Sequence, residues 1–448
     1  MATTLFAPMV VRWLFAFMCF SKMMTFCRAH AGETETVHTK TFRSPGFTLG
    51  PGDVIDRYLP VAMPTGHIAV RSLDMTVVDS VGNQIPLSET YLHHWVLIRY
   101  YIDPSSTGNV GIETVPVANN GVCNPFLVQW FGHGSEFRHT HTTVPAPYGI
   151  VLGNPDDVPE RLVEVWFLNV HAIDTRGVVD PRGCTECLCD VYNVSVDGYD
   201  RGLPPGYEGG MFCCHDETQC PLQLGFEDVR RELFLEFTIT FVDFSDAVVP
   251  VRLYLLDVTD QRTAWDQPPQ CQVEYTVPKC TVGSRECTHK QEAVAFLPEG
   301  GYVVVSSAHL HIGGIVASVS LENGDEICVS HPIYGQGSGA GNETGYIVGM
   351  TSCYPDPNSI YIRAKEKLHL KAVYNNEERH TGVMGILLLV IAEGPAPPSE
   401  VGGSIVVKAF SMILLGLAVL GAAAVGGGML HRWREKRSER FRYSPIDI

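Results

Sequence analysis

Two groupings of histidines could do chemistry in this sequence. In the first, Tyr91-Leu-His93-His94-Trp95, adjacent imidazoles interrupt a strand-like apolar run that continues Val96-Leu97-Ile98. Adjacent imidazoles suit a core poorly, because each ring has a polar nitrogen that needs a partner when buried. Successive strand side chains point to opposite faces, so both rings reach one ion only where the strand bends or bulges. Without such a bend the pair is an interface or surface feature. In the second grouping, His309-Leu-His311, residues i and i+2 of a strand share a face, a spacing suited to chelation.

A third donor follows each grouping. The run Val165-Trp-Phe-Leu-Asn-Val-His171 places one histidine 77 residues after His94, and His380-Thr-Gly-Val-Met384 places a methionine 73 residues after His311. Taken singly, His171 reads as a satisfied core histidine and Met384 as core packing. As a ligand set, a thioether with two imidazoles is soft; it suits copper, Cu(I) above all, and suits calcium or magnesium poorly. The repeated order predicts two metal sites, one per strand block: His93, His94 and His171 in the first, His309, His311 and Met384 in the second. His133, His139 and His141 form a further cluster among Gly132, Gly134 and Pro145. It reads as a polar loop, with rimming the first site or replacing one of its ligands as alternatives. No Gly-x-Ser-x-Gly, phosphate loop or zinc-protease motif occurs, so hydrolase and nucleotide functions have no foothold.

Strands must position these donors. The 448 residues suffice for two domains, and 43 Gly with 29 Pro indicate many turns. Short apolar or alternating runs at 68–70, 75–78, 95–101, 162–170, 233–242 and 248–256 form a first block, residues 32–259. Runs at 293–296, 302–309, 315–321, 360–362, 368–374 and 384–391 form a second, residues 260–392, after a linker rich in Gln, Asp and Pro at 260–270. Their β-branched and aromatic content predicts an all-β protein of two antiparallel sandwich domains.

The ends predict topology. Residues 1–31 contain no acid, carry the apolar core Trp13-Leu-Phe-Ala-Phe-Met-Cys-Phe20 and end Ala29-His-Ala31, the form of a signal peptide. A stalk (393–404) leads to a transmembrane helix (405–430), uncharged over 409–430, and then to a basic tail (431–448) that belongs in the cytosol. The expected protein therefore follows the secretory pathway to the plasma membrane or an endomembrane, with its N-terminal part outside. In the tail, Tyr443-Ser-Pro-Ile446 has the form of a signal read by a sorting adaptor. Net charge is −17 although both ends are basic, so the outer region is more acidic still. That balance argues against nucleic acid as a partner.

Of 14 cysteines, Cys19 and Cys27 lie in the leader. The remaining even number predicts up to six disulfides in an oxidising compartment. Cys184, Cys187, Cys189, Cys213, Cys214 and Cys220 concentrate in an insertion at 182–221. Its Cys184-x-x-Cys187 invites zinc, but a disulfide-stapled insertion is the expectation outside the cytosol. Asn193-Val-Ser195 and Asn342-Glu-Thr344 are glycosylation sequons.

The order His-His, His, His-x-His, Met resembles the copper type II, ascorbate-dependent monooxygenases typified by peptidylglycine alpha-hydroxylating monooxygenase. The resemblance implies two jelly-roll sandwiches with one copper each. It assigns His93, His94 and His171 to one ion and His309, His311 and Met384 to the other, with ascorbate as reductant. Ser307 stands where that enzyme has Arg, and Ile386 and Leu388 stand where it has Asn and Tyr. Those residues hold its peptide, so peptide amidation is not implied and the substrate is left unnamed. Over most of 38–392 the chain is also similar to the plant stress up-regulated Nod19 (SURNod19) family. The motifs are Gly66-His-Ile-Ala-Val70, Val81-Gly-Asn-Gln-Ile-Pro-Leu-Ser-Glu-Thr-Tyr-Leu-His-His-Trp95 and Gly210-Met-Phe-Cys-Cys-His-Asp-Glu-Thr-Gln-Cys220. Together these imply a stress-associated, membrane-anchored extracellular protein with monooxygenase-like copper chemistry. Two alternatives stand beside it: a non-catalytic cell-surface protein that keeps the sandwich and one metal, and an adhesion ectodomain whose histidines are structural.

Overall fold

The computed structural model describes residues 35–105, 114–283 and 285–395. The leader (1–31), most of the stalk, the expected membrane helix (405–430), the basic tail and Tyr443–Ile446 lie outside the described residues. Among the described residues no helix is long and apolar enough to cross a membrane.

The first block supplies β1 (Val37–Arg43), β2 (Phe47–Leu49), β3 (Val54–Val61), β4 (Ile68–Asp79), β5 (Thr90–Ile102), β6 (Thr114–Val117), β7 (Phe131–His133), β8 (Tyr148–Leu152), β9 (Val163–Asp174), β10 (Arg231–Asp243) and β11 (Val249–Asp257). The second supplies β12 (Glu274–Val277), β13 (Thr288–Phe296), β14 (Gly301–Leu310), β15 (Gly314–Leu321), β16 (Glu326–Ser330), β17 (Pro332–Tyr334), β18 (Ile347–Met350), β19 (Tyr361–Ile362), β20 (Lys367–Asn375) and β21 (His380–Glu393). The all-β expectation holds.

Residue patterns explain where strands sit. In β10, Leu233, Leu235, Phe237, Ile239 and Phe241 are buried while the residues between them are at least partly exposed, the period-2 pattern of a strand with one covered face. By contrast β21 is buried along nearly its whole length, as an apolar strand covered on both faces should be. It lies inside a ten-stranded sheet ordered β1-β10-β4-β8-β11-β21-β14-β19, to which β2 and β12 also pair. A five-stranded sheet (β3-β9-β5-β6, with β7 on β5) belongs to the first block, and a four-stranded sheet (β13-β20-β15-β16) to the second. Among the described strand pairs only β8 and β11 run parallel, apart from two isolated parallel bridges at Gly335↔Thr344 and Gly337↔Glu343.

The two blocks share the large sheet. β11 of the first pairs with β21 of the second from Arg252↔Ile391 to Asp257↔Ile386. One apolar core joins Leu92, Trp95 and Leu168 of the first block to Val305, Leu370 and Leu389 of the second. The described residues up to Gly394 make one compact unit. The boundary expected at 259/260 thus falls between strands of a common sheet.

All twelve described cysteines are paired. Within the insertion the bridges are Cys184–Cys220, Cys187–Cys214 and Cys189–Cys213. The Cys184-x-x-Cys187 thiols are therefore committed to disulfides, not zinc. Elsewhere the bridges are Cys123–Cys271, Cys280–Cys287 and Cys328–Cys353. Cys184, Cys187, Tyr192, Cys214 and Cys220 of the insertion bury Val54, Tyr91 and Ile173 of the five-stranded sheet. Each large side chain covered this way contributes roughly 1.5–3 kcal/mol. This roof lies over the strands that carry the first histidines.

Candidate metal centre

The adjacent histidines sit on an irregularity of the ladder. β5 and β9 pair antiparallel, with Leu92 opposite Ala172 and His94 opposite His171; the register shifts between them, leaving His93 as the extra residue. An inserted residue bends a strand and re-aims its side chains. The condition required for His93 and His94 to share a centre is met. The ligand atoms of His93, His94 and His171 all lie within 4.8 Å of one another.

Hydrogen bonds select the nitrogens. His94 Nε2 is 2.7 Å from Asn169 Oδ1, while Asn169 Nδ2 donates to Asp56 Oδ1 at 2.7 Å. With the amide nitrogen spent on Asp56, its oxygen accepts the His94 Nε2–H, which leaves His94 Nδ1 as the lone-pair atom. His171 Nε2–H donates to the Cys214 carbonyl at 2.8 Å, so its lone pair is also on Nδ1. His171 Nδ1 and His93 Nδ1 are buried without any hydrogen-bond partner.

The second pair lies against the first. The His311 ring centroid is 4.9 Å from that of His93 and 5.0 Å from that of His309. His311 Nε2 is another buried nitrogen without a partner. Where the sequence places one site in each block, the structure gathers five imidazoles into one contiguous cluster. Met384 is buried. The β14–β21 ladder ends His309↔Ile386, Leu310↔Gly385, one residue short of His311 and Met384. The Tyr374 hydroxyl ties the two backbones, accepting from His311 N–H at 2.8 Å and donating to the Met384 carbonyl at 2.6 Å.

Burial sets the charge state. It presses His93 and His311 well below the usual imidazole range, with neighbouring imidazoles adding to the effect, and lowers His94 as well. For His171, burial and then the His94 ring lower the value to about 4. At neutral pH these rings are neutral, the state in which imidazole binds metal.

The structure also shows groups that the sequence did not single out. Asn169, Asp56 and the Cys214 carbonyl orient the first three rings, and Tyr374 spaces the second set. Glu136 is wholly buried, with Oε1 2.7 Å from His309 Nδ1 and 3.5 Å from His133 Nδ1. Burial alone would raise its pKa, but His309 and His133 hold it well below the carboxylate range. The one sequence signal for it was an acid set three residues after His133 in a Gly/His-rich loop. The other histidines of that loop stand apart from the cluster. His139 Nε2 bonds the Gly341 carbonyl at 2.8 Å, and the exposed His141 offers its own carbonyl to the hydroxyls of Ser352 and Tyr354.

Fold and site define a class: an all-β, disulfide-stapled protein with a largely buried cluster of imidazoles. The family model described as Stress up-regulated Nod 19 matches residues 35–394, and the chain belongs to that family, which marks it as a stress-associated protein. No curated protein matches it. Among solved structures, the recombinant peptide:N-glycanase F (PNGase F) is similar at 9% identity and a TM-score of 0.30, over 80% of this chain and 97% of that one. The STIV MCP is similar at 8% identity and a TM-score of 0.24, over 80% and 96%. The VP2 subviral particle of infectious bursal disease virus follows at 12% identity and a TM-score of 0.18, over 82% and 74%. Nothing about this chain's chemistry follows from such slight likenesses.

Proposed function

We propose that this stress-associated protein is a membrane-anchored extracellular copper protein, an oxidoreductase of monooxygenase-like architecture reduced by ascorbate. One observation supports the reading above the others. His93, His94 and His171 converge on one space, while His93 Nδ1 and His171 Nδ1 find no partner within the protein. An unsatisfied buried polar atom costs about 1–3 kcal/mol, a cost that a bound cation would remove. Neutral imidazoles suit a borderline metal, and a thioether such as that of the buried Met384 suits Cu(I).

The chain's own groups do the positioning. Asp56 holds Asn169, and Asn169 holds His94 with Nδ1 as the lone-pair atom. The disulfide-fixed Cys214 carbonyl holds His171 in the same tautomer. His309, His311 and Met384 form the second donor set. These residues would hold copper, which would supply one-electron redox chemistry with dioxygen and ascorbate. Burial keeps water from His93 and His171, while His94 is partly exposed.

The 4.9 Å approach of His311 to His93 favours a second reading, a non-catalytic cell-surface protein with a single metal position. Copper analysis and oxygen uptake on the purified protein separate the two. Two copper ions per chain with ascorbate-dependent oxygen consumption support the oxidoreductase. One ion without consumption supports the second reading, and no copper when Cu(I) is supplied at neutral pH contradicts both.

A further inference from the structure

We propose that Glu136 is a positioning residue: it holds His309 as the Nδ1–H tautomer, leaving Nε2 as that ring's lone-pair atom, and so makes the second donor set depend on the first strand block. This rests on the copper reading above for its consequence, but not for its geometry.

Glu136 belongs to a 3-10 turn, Ser135–Arg138, that follows β7 of the first block; His309 is on β14 of the second. The Oε1–Nδ1 distance of 2.7 Å is that of a direct hydrogen bond. Oε1 already serves as an acceptor for the Gly134 N–H, so the proton of this bond is assigned to His309 Nδ1. Two further groups face the same carboxyl oxygens. The Gly134 N–H donates to both at 3.1 and 3.2 Å, and His133 Nδ1 stands 3.5 Å away.

The turn is built for this approach. A Cβ on Gly134 would meet His309 Cε1 at 2.6 Å and the His93 carbonyl oxygen at 2.8 Å, so only glycine lets the turn pass between the two histidine groups. Behind it, the Arg138 guanidinium donates to Gln84 Oε1 at 2.7 Å and to the Ile85 carbonyl at 2.6 Å. Thr140 Oγ1 donates to the Glu136 carbonyl at 2.8 Å and accepts from Met350 N–H of the second block at 2.9 Å. The turn that carries the carboxylate is thus fixed from several sides. A carboxylate on the outer N–H of a ligating histidine sets ring orientation and basicity, and its loss typically costs about 10–100-fold in metal affinity.

The test reads the tautomer in metal-free protein and the affinity separately. Long-range proton–nitrogen spectra of histidine-labelled protein should show His309 protonated at Nδ1. Glu136→Leu, which keeps bulk but removes the acceptor, should lose that tautomer and weaken Cu(I) binding by about 10–100-fold in chelator competition. Glu136→Gln, whose amide oxygen still accepts from Nδ1–H, should keep the tautomer and most of the affinity. A merely structural ion pair would lower thermal stability in Glu136→Leu yet leave both readouts unchanged, and that result overturns the proposal. So does wild-type His309 protonated at Nε2, a measurement that stands even where a variant fails to fold. If wild-type protein binds no Cu(I), the copper reading falls while the tautomer still decides the role of Glu136.

Discussion

Acid should strip stability from the metal-free protein through His171, and replacing that residue should remove the loss. Burial lowers the folded-state value of His171 to about 4, whereas an unfolded histidine titrates near 6.5. Between those values the unfolded chain takes up a proton that the folded chain refuses. Stability from this residue is therefore complete above about pH 6.5 and falls as the pH drops toward 4. The loss amounts to about 2 kcal/mol at pH 5 and about 3 kcal/mol at pH 4. His93 and His311, pressed down by burial, act with the same sign. Glu274 acts against them: burial raises its carboxyl to about 7, so its contribution is lost as pH rises from about 4.5 to 7. The wild-type profile alone is thus ambiguous, and the comparison must be with His171→Gln. Guanidinium unfolding with disulfides intact and a chelator present, at pH 8 and pH 5, gives the needed difference. Wild type should lose about 2 kcal/mol more than the variant between those pH values. Equal losses, or a larger loss in the variant, would refute the claim that His171 is held neutral by its surroundings.

Three further outcomes follow from named contacts. Gly134→Ala should destabilise the protein by roughly 1–3 kcal/mol in denaturant unfolding, because the added methyl meets the His93 carbonyl and the His309 ring. Asn169→Ala removes the group that orients His94 and should weaken copper binding by about 10–100-fold in chelator competition, leaving the Asp56 carboxylate without its amide donor. Replacing both Cys187 and Cys214 by serine opens a bridge spanning 27 residues and should cost about 3–4 kcal/mol of stability. The same change loosens the Cys214 carbonyl from His171, so copper affinity and melting temperature should fall together.

Much of this was legible in the chain itself. Alternation marks β10 residue by residue, and the runs expected at 95–101 and 302–309 fall inside β5 (Thr90–Ile102) and β14 (Gly301–Leu310). The runs at 68–70 and 75–78 belong to one strand, Ile68–Asp79. Charge at Arg71 and Asp74 hid that continuity, yet Arg71 is buried and pairs with Glu35 at 2.5 Å. For the histidines, the requirement of a bend at His93–His94 followed from strand geometry, and the bulge is there. What spacing could not reveal is contact across long separations. The β11–β21 pairing that merges the blocks, and with it the approach of His311 to His93, depends on sheet order. Local pattern leaves sheet order undetermined. Glu136 is hidden for the same reason, since its partner His309 is 173 residues away. An even cysteine count gave the number of bridges, but their pairing depends on which loops the fold folds together.

The central claim, that the converging imidazoles hold copper, is tested most directly by metal analysis of the purified protein. Cu(I) should be supplied at neutral pH, and wild type compared with His171→Ala and His311→Ala. The account predicts stoichiometric copper in wild type, with loss from the first donor set in His171→Ala and from the second in His311→Ala. Absence of copper in wild type, or copper that neither substitution reduces, would contradict it.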